Sequence, residues 1–158
     1  MKKLNILCID DDNHELNLLI ENLSEYSEYL EIIGCKDEED AKVQLNELDG
    51  NSAYISIIFS DHVLPHLNGI KFFTDIENDS RFTNTKKVLI SGSTTQKDTI
   101  KAINKAKISH YIWKPWDKEY LITTVKELLT HYLFDCGIEY HPYIDVLDHA
   151  TLLQRTTL

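Results

Sequence analysis

Asp10, Asp11, Asp61, Ser91 and Lys114 stand at, or directly after, the ends of short apolar runs. A polar side chain in such a place is costly unless something uses it. The run Tyr54-Ile55-Ser56-Ile57-Ile58-Phe59 leads through Ser60 to Asp61, with Pro65 and Gly69 close behind. One such carboxylate is ordinarily the cap of the next turn. Polar groups after four separate runs describe a site. Three crowded carboxylates repel one another, and some stay protonated unless a cation is present. Hard divalent metals want oxygen ligands, and Mg2+ takes one or two carboxylates while keeping several waters. Lys114 supplies a point charge suited to a phosphoryl oxygen. Ser91 adds a neutral donor, and Gly92 beside it has no side chain to block an incoming group. The set suits a carboxylate that attacks phosphorus, with metal and lysine stabilising charge on the transferring oxygens.

The elements that must position these groups are legible as five apolar runs alternating with helical patterns. The runs are Leu4 to Ile9, Leu30 to Cys35, Tyr54 to Phe59, Val88 to Ile90 and Tyr111 to Trp113. Near-continuous apolarity, interrupted by Asn5 and Ser56, is expected of parallel strands covered on both faces. The second run carries Glu31 and ends at Gly34-Cys35, which marks it as an edge strand. Between the runs, Leu16, Leu19, Ile20 and Leu23 form one buried stripe, with Asp12 and Glu15 placed as a capping-box pair. Ala41, Leu45 and Leu48 form a second stripe behind the acidic Asp37-Glu38-Glu39-Asp40. Ile70, Phe73 and Ile76 form a third, and Ile100, Ile103 and Ala106 a weak fourth. Leu121, Val125, Leu128, Leu129 and Tyr132, capped by Asp117, form the clearest. Strict alternation implies an α/β fold with a parallel sheet, right-handed crossovers and helices on both faces. In such sheets ligands bind beyond the carboxyl ends of the strands.

Composition narrows the partners. The 158-residue chain carries a net charge of -10, which argues against non-specific binding to nucleic acid or an anionic membrane. No apolar run approaches a membrane span, and Asn5 with Asp10-Asp11-Asp12 spoils a signal peptide, so a cytoplasmic protein is expected. Cys8, Cys35 and Cys136 have no paired spacing and are expected to be reduced thiols. Pro65 between His62 and His66 makes a shared helical face, and so a structural zinc site, improbable.

Taken in order, Ile9-Asp10-Asp11, Ser60-Asp61 with Leu64-Pro65 and Asn68-Gly69, Ile90-Ser91-Gly92, and Tyr111-Ile112-Trp113-Lys114-Pro115 carry a specific resemblance. The sequence resembles the receiver domain of two-component response regulators over residues 1–134. The resemblance implies a flavodoxin-like (βα)5 doubly wound sheet of strand order 2-1-3-4-5 in three α/β/α layers. It implies that Asp61 accepts a phosphoryl group from a kinase phosphohistidine. Asp10, Asp11, Asp61 and the backbone carbonyl of Val63 would hold Mg2+, with Asp11 the more direct of the acidic pair. Ser91, Gly92, Tyr111, Lys114 and Pro115 would form the phosphoryl-binding and switching set, with Tyr111 the aromatic switch and a cis bond at Lys114-Pro115.

Such a domain catalyses only its own phosphorylation and dephosphorylation. Its partners would be a sensor histidine kinase or phosphotransfer protein, and a downstream protein or fused output domain. A homodimer through the fourth helix, fifth strand and fifth helix is a further expectation. Trp116, Tyr120 and Ile122 are candidates for a partner contact on that face. His62 is expected to face solvent. Val63 replaces a polar side chain that in relatives positions water, which predicts slow loss of phosphate. Residues 135–158 are expected to form a C-terminal extension: a docking helix around Ile144 to Leu153, or the start of a linker to an output domain. A receiver-like scaffold that works without phosphorylation is the main alternative. A Rossmann or flavin protein lacks its glycine-rich phosphate cradle, and an aspartate-based phosphohydrolase lacks an acid at position 63.

Overall fold

The computed structural model describes residues 1–92 and 96–157, with backbone alone for residues 96, 98 and 99. Its strands are β1 (Leu4–Ile9), β2 (Leu30–Cys35), β3 (Tyr54–Asp61), β4 (Lys86–Ser91) and β5 (His110–Trp113). Its α-helices are α1 (Asn13–Leu23), α2 (Glu38–Gly50), α3 (Gly69–Glu77), α4 (Gln96–Ala106), α5 (Lys118–Cys136) and α6 (His149–Thr156). All strand pairs are parallel, in the order β2-β1-β3-β4-β5, with β2 at an edge. The two apolar faces form separate clusters. Leu4, Ile6, Cys8, Ile57 and Phe59 pack with α1 and α5. Leu7, Ile9, Ile55, Ile58 and Leu89 pack with α2, α3 and α4.

The polar interruptions in the strands have a structural cause. Between Asn5 and Ile6 the β1–β3 register slips, so that Ser56 is an extra residue between Ile55 and Ile57. A bulge leaves backbone groups without ladder partners. Here Ser56 Oγ donates to the Asn5 carbonyl at 2.9 Å, and Asn5 Nδ2 donates to the Tyr54 carbonyl at 3.0 Å. Two buried polar side chains thereby satisfy the backbone they interrupt.

The helix starts follow their caps. Asp12, Asp37, Asn68, Asp117 and Asp148 each accept a backbone N–H of the first turn. One stripe differs from expectation. Among the described side chains of α4 the buried positions are Ala102 and Ala106, whereas Ile100 and Ile103 are about half exposed, at 52% and 51%. Small residues meet α3, and the larger ones are left outside. On α2 the expected Ala41 and Leu45 are buried, and Glu38 of the first turn is buried with them, neither of its carboxylate oxygens having a hydrogen-bond partner among the described residues.

The C-terminal stretch folds back on the sheet. Gly137, in the left-handed region at φ 67°, ends α5, and a 3₁₀ helix (His141–Val146) leads to α6. Tyr143, Val146 and Leu147 join the α1–α5 side of the core. Tyr143 donates to the Lys2 carbonyl at 2.5 Å, Tyr29 to Asp145 at 2.6 Å, and the Asp148 N–H to Thr130 at 3.0 Å. Of the expected docking stripe, Val146 and Leu147 are buried, while Ile144 and Leu153 are exposed.

Candidate functional site

Strand register assembles the site. Ile9 of β1 pairs with Ser60 of β3, so the next residues, Asp10 and Asp61, become neighbours. Asp61 pairs with Ile90, and Ser91 with Trp113, so Lys114 leaves the sheet beside the same edge. The Lys114 N–H donates to the Ser91 carbonyl at 3.2 Å, and the Lys114-Pro115 bond is cis. One carboxylate oxygen each from Asp10, Asp11 and Asp61 lies within 4.8 Å of the others. The four expected strand ends are therefore together, and the lysine amine points at the acids.

The environments of the acids differ. Asp10 is buried, and its two oxygens are already engaged: one accepts the Asp12 N–H at 2.9 Å, the other meets Lys114 Nζ at 3.0 Å. Asp11 is exposed and open to a ligand. Asp61 is half-buried, and Lys114 Nζ lies 3.4 Å from it. Burial pushes the Asp61 carboxyl upward, and the Asp10 charge adds to this. Lys114 and the Val63 N–H pull the other way without cancelling it. A carboxyl held in that state gains from a cation that would neutralise the cluster. The donor set is all oxygen, which matches Mg2+. On Lys114, burial alone would lower the ammonium pKa. Contacts from Glu15 and Asp10 and the charge of Asp61 win, and it is raised.

Other expected positions fall into place unevenly. Ser91 is buried. Gly92 is exposed, and a Cβ there would meet Lys114 at 3.6 Å, an ordinary contact, so the fold itself does not demand glycine. Tyr111 packs half-buried against the α2–α4 side, edge-on to Trp113, with its hydroxyl buried and unpartnered among the described residues. Val63 has an exposed side chain, and its strand-like bridge to Asn68 pins the β3–α3 loop. His62, expected in solvent, is half-buried with Nδ1 enclosed and unpartnered among the described residues. Trp116 is not free on the surface either: its Nε1 donates to Asn22 at 2.9 Å. The exposed apolar residues along α4, β5 and α5 are Ile100, Ile103, Trp113 and Tyr120.

One site residue was read otherwise in the sequence. Glu15 sits where a capping box would turn it back to the helix start. The N–H it would take there is already given to Asp10, and Glu15 Oε2 instead lies 2.5 Å from Lys114 Nζ. No local pattern reports a contact between residues so far apart in the chain.

The family description "Response regulator receiver domain" matches residues 6–126. The chain belongs to the response regulator receiver family. This receiver is 29% identical over 126 residues to the hydrogenase transcriptional regulatory protein HoxA of Cupriavidus necator, covering 80% of this chain and 24% of that one. It is 25% identical over 115 residues to the chemotaxis protein CheY1 of Helicobacter pylori, covering 73% of this chain and 89% of that one. Among solved structures it resembles the signal receiver domain of an HD domain-containing protein from Pseudomonas fluorescens Pf-5. The TM-score there is 0.75 at 25% identity, covering 87% of this chain and 94% of that one. The receiver thus spans about a quarter of the HoxA regulators and most of the CheY1 length. The fold is the expected flavodoxin-like one, and no helix among the described residues is long and apolar enough to cross a membrane.

Proposed function

We propose that this receiver takes a phosphoryl group onto Asp61 from the phosphohistidine of a sensor kinase or phosphotransfer protein and relays the change to a partner. The observation that carries this reading is the convergence of Asp10, Asp11 and Asp61 with Lys114 Nζ 3.4 Å from Asp61. A carboxylate oxygen of Asp61 forms the new P–O bond as the donor's P–N bond breaks, and the imidazole leaves with a proton from water. Asp11, Asp61 and the Val63 carbonyl would hold Mg2+, with Asp10 behind them. The ion, when bound, neutralises charge on the transferring oxygens. Lys114 meets one of those oxygens, and Ser91 donates to another. The added charge, about -1.5 to -2, then biases α4, β5 and α5 toward a second packing. Tyr111, whose hydroxyl has no described partner, sits where such a shift would be felt.

The partner-facing surface is the exposed set Ile100, Ile103, Trp113 and Tyr120, which would serve a downstream protein, a fused output domain or a second copy. The place of action is the cytoplasm, where the donor phosphohistidine is made. Acetyl phosphate with Mg2+ tests the reading. Wild type should be labelled on Asp61 and Asp61→Asn should not. Labelling that survives the substitution would move the acceptor elsewhere, and an unlabelled wild type would favour a scaffold that works without phosphate.

A further inference from the structure

Lys114 is surrounded by three carboxylates, and the nearest does not belong to the acidic cluster. Nζ lies 2.5 Å from Glu15, 3.0 Å from Asp10 and 3.4 Å from Asp61. An ammonium has three N–H donors. The amine is held among these three charges, by a hydrogen bond to Asp10 and by ion pairs to Glu15 and Asp61, so a phosphoryl oxygen gains this lysine fully only if one of them gives it up. Asp10 is a poor candidate to yield: it is buried and fixed on its other oxygen by the Asp12 N–H. Asp61 carries the phosphoryl group itself. Glu15 is the one that can let go: its Oε2 is enclosed beside the lysine without a hydrogen bond to hold it, while the side chain as a whole is 34% exposed and can move out to water. It also borders an open cleft of about 420 Å3, lined by His14, Glu15, Leu18, Lys114, Pro115 and Trp116, into which it can turn.

We infer that Glu15 is the resting partner of Lys114, a positioning carboxylate that competes with the phosphoryl group for the lysine and so weakens the site's hold on it. The inference rests on the phosphoacceptor reading of Asp61. Glu15 has no capping duty to perform, since the Asp12 N–H it would take is already bonded to Asp10. Opposite charges this close attract strongly when partly enclosed, and surrendering the pair is felt directly in affinity.

Beryllofluoride, a phosphoryl mimic on carboxylates, provides the test at saturating Mg2+. Glu15→Gln should bind it about tenfold more tightly than wild type, the effect of removing one competing contact. In a Lys114→Ala background the same substitution should change affinity little. Equal affinity of Glu15→Gln and wild type, or the same gain without the lysine, would overturn the inference. Urea unfolding in EDTA supplies a metal-free check through the cycle of Glu15→Gln, Lys114→Ala and the double variant. Coupling between the two is expected, and additive losses would count against the pairing. If wild type binds no beryllofluoride the fault lies with the phosphoacceptor reading, while the unfolding cycle still decides whether Glu15 holds Lys114.

Discussion

A Cβ on Gly69 would lie 2.4 Å from the main-chain oxygen of Asp61, and 2.9 Å from Leu89 Cδ1. The first turn of α3 therefore runs hard against the backbone that presents the Asp61 carboxylate. The β3–α3 loop closes there, with the Gly69 N–H donating to the His62 carbonyl at 2.7 Å.

Gly69→Ala should destabilise the fold by about 1–3 kcal/mol through overpacking, read as a lower urea midpoint, and should slow labelling of Asp61 by acetyl phosphate. Asn68→Ala, which removes only the cap bond to the Lys71 N–H, should cost about 1 kcal/mol and leave labelling near wild type. Equal labelling defects in the two would show that the loop, not the close approach, matters.

Val63 presents an exposed apolar side chain at the site while its N–H faces the Asp61 carboxylate. The side chain has no polar atom to orient an attacking water. Val63→Asn should shorten the life of the aspartyl phosphate about five- to tenfold, the worth of one hydrogen bond. Decay of the radiolabelled protein in the two forms measures this, and identical rates would end the idea.

The C-terminal segment should behave as part of the same folded unit. Leu147 is buried at 3% exposure, so Leu147→Ala should cost about 3 kcal/mol, seen as one shifted, still cooperative unfolding transition.

The same docking predicts a pH effect. Arg155 of α6 donates toward His131 Nδ1 at 3.3 Å. The His131 pKa is held below its usual 6.5 by burial, then by Arg155 and Lys86, against the pull of Asp135 and Glu127. The unfolded chain thus takes its proton first as pH falls. Stability from this group is complete above pH 6.5 and declines below it. His131→Gln should flatten that slope. Asp135, whose pKa is lowered by Lys86 and Arg155 against burial, acts in a separate window below its ordinary 3.8. Urea midpoints measured from pH 5 to 8 therefore read the His131 window without Asp135.

Lys87 of β4 is buried and paired with Glu77 of α3, with Lys107 3.7 Å from the other oxygen. Removing one partner of a buried pair leaves an uncompensated charge, whereas replacing the charge by apolar bulk can be neutral. Glu77→Gln should therefore cost about 1–3 kcal/mol, reduced because Glu77 is partly solvated. Lys87→Met should cost less. Chemical unfolding of both variants gives the order, and the reverse order would contradict a desolvated lysine.

The linear chain determined much of this by itself. Strands continuous in apolar residues could settle only between two helical layers, and polar residues after four of them could gather only at one edge. The resemblance to receivers then implies roles for Asp10, Asp11, Asp61, Ser91 and Lys114. What local pattern could not decide depends on partners distant in the chain. Ile100 and Ile103 have helical spacing for burial, yet α4 presents Ala102 and Ala106 to α3 because close helix approach favours small side chains. Glu38 and Lys87 are charged residues that packing encloses, and no spacing along the chain reports it. Glu15 reads as a helix cap until folding brings Lys114 to 2.5 Å from it. Periodicity reports which side of an element faces the core. Only tertiary contact assigns a charged group the partner it will keep, because Coulomb attraction depends on distance in space and burial, not on separation along the chain.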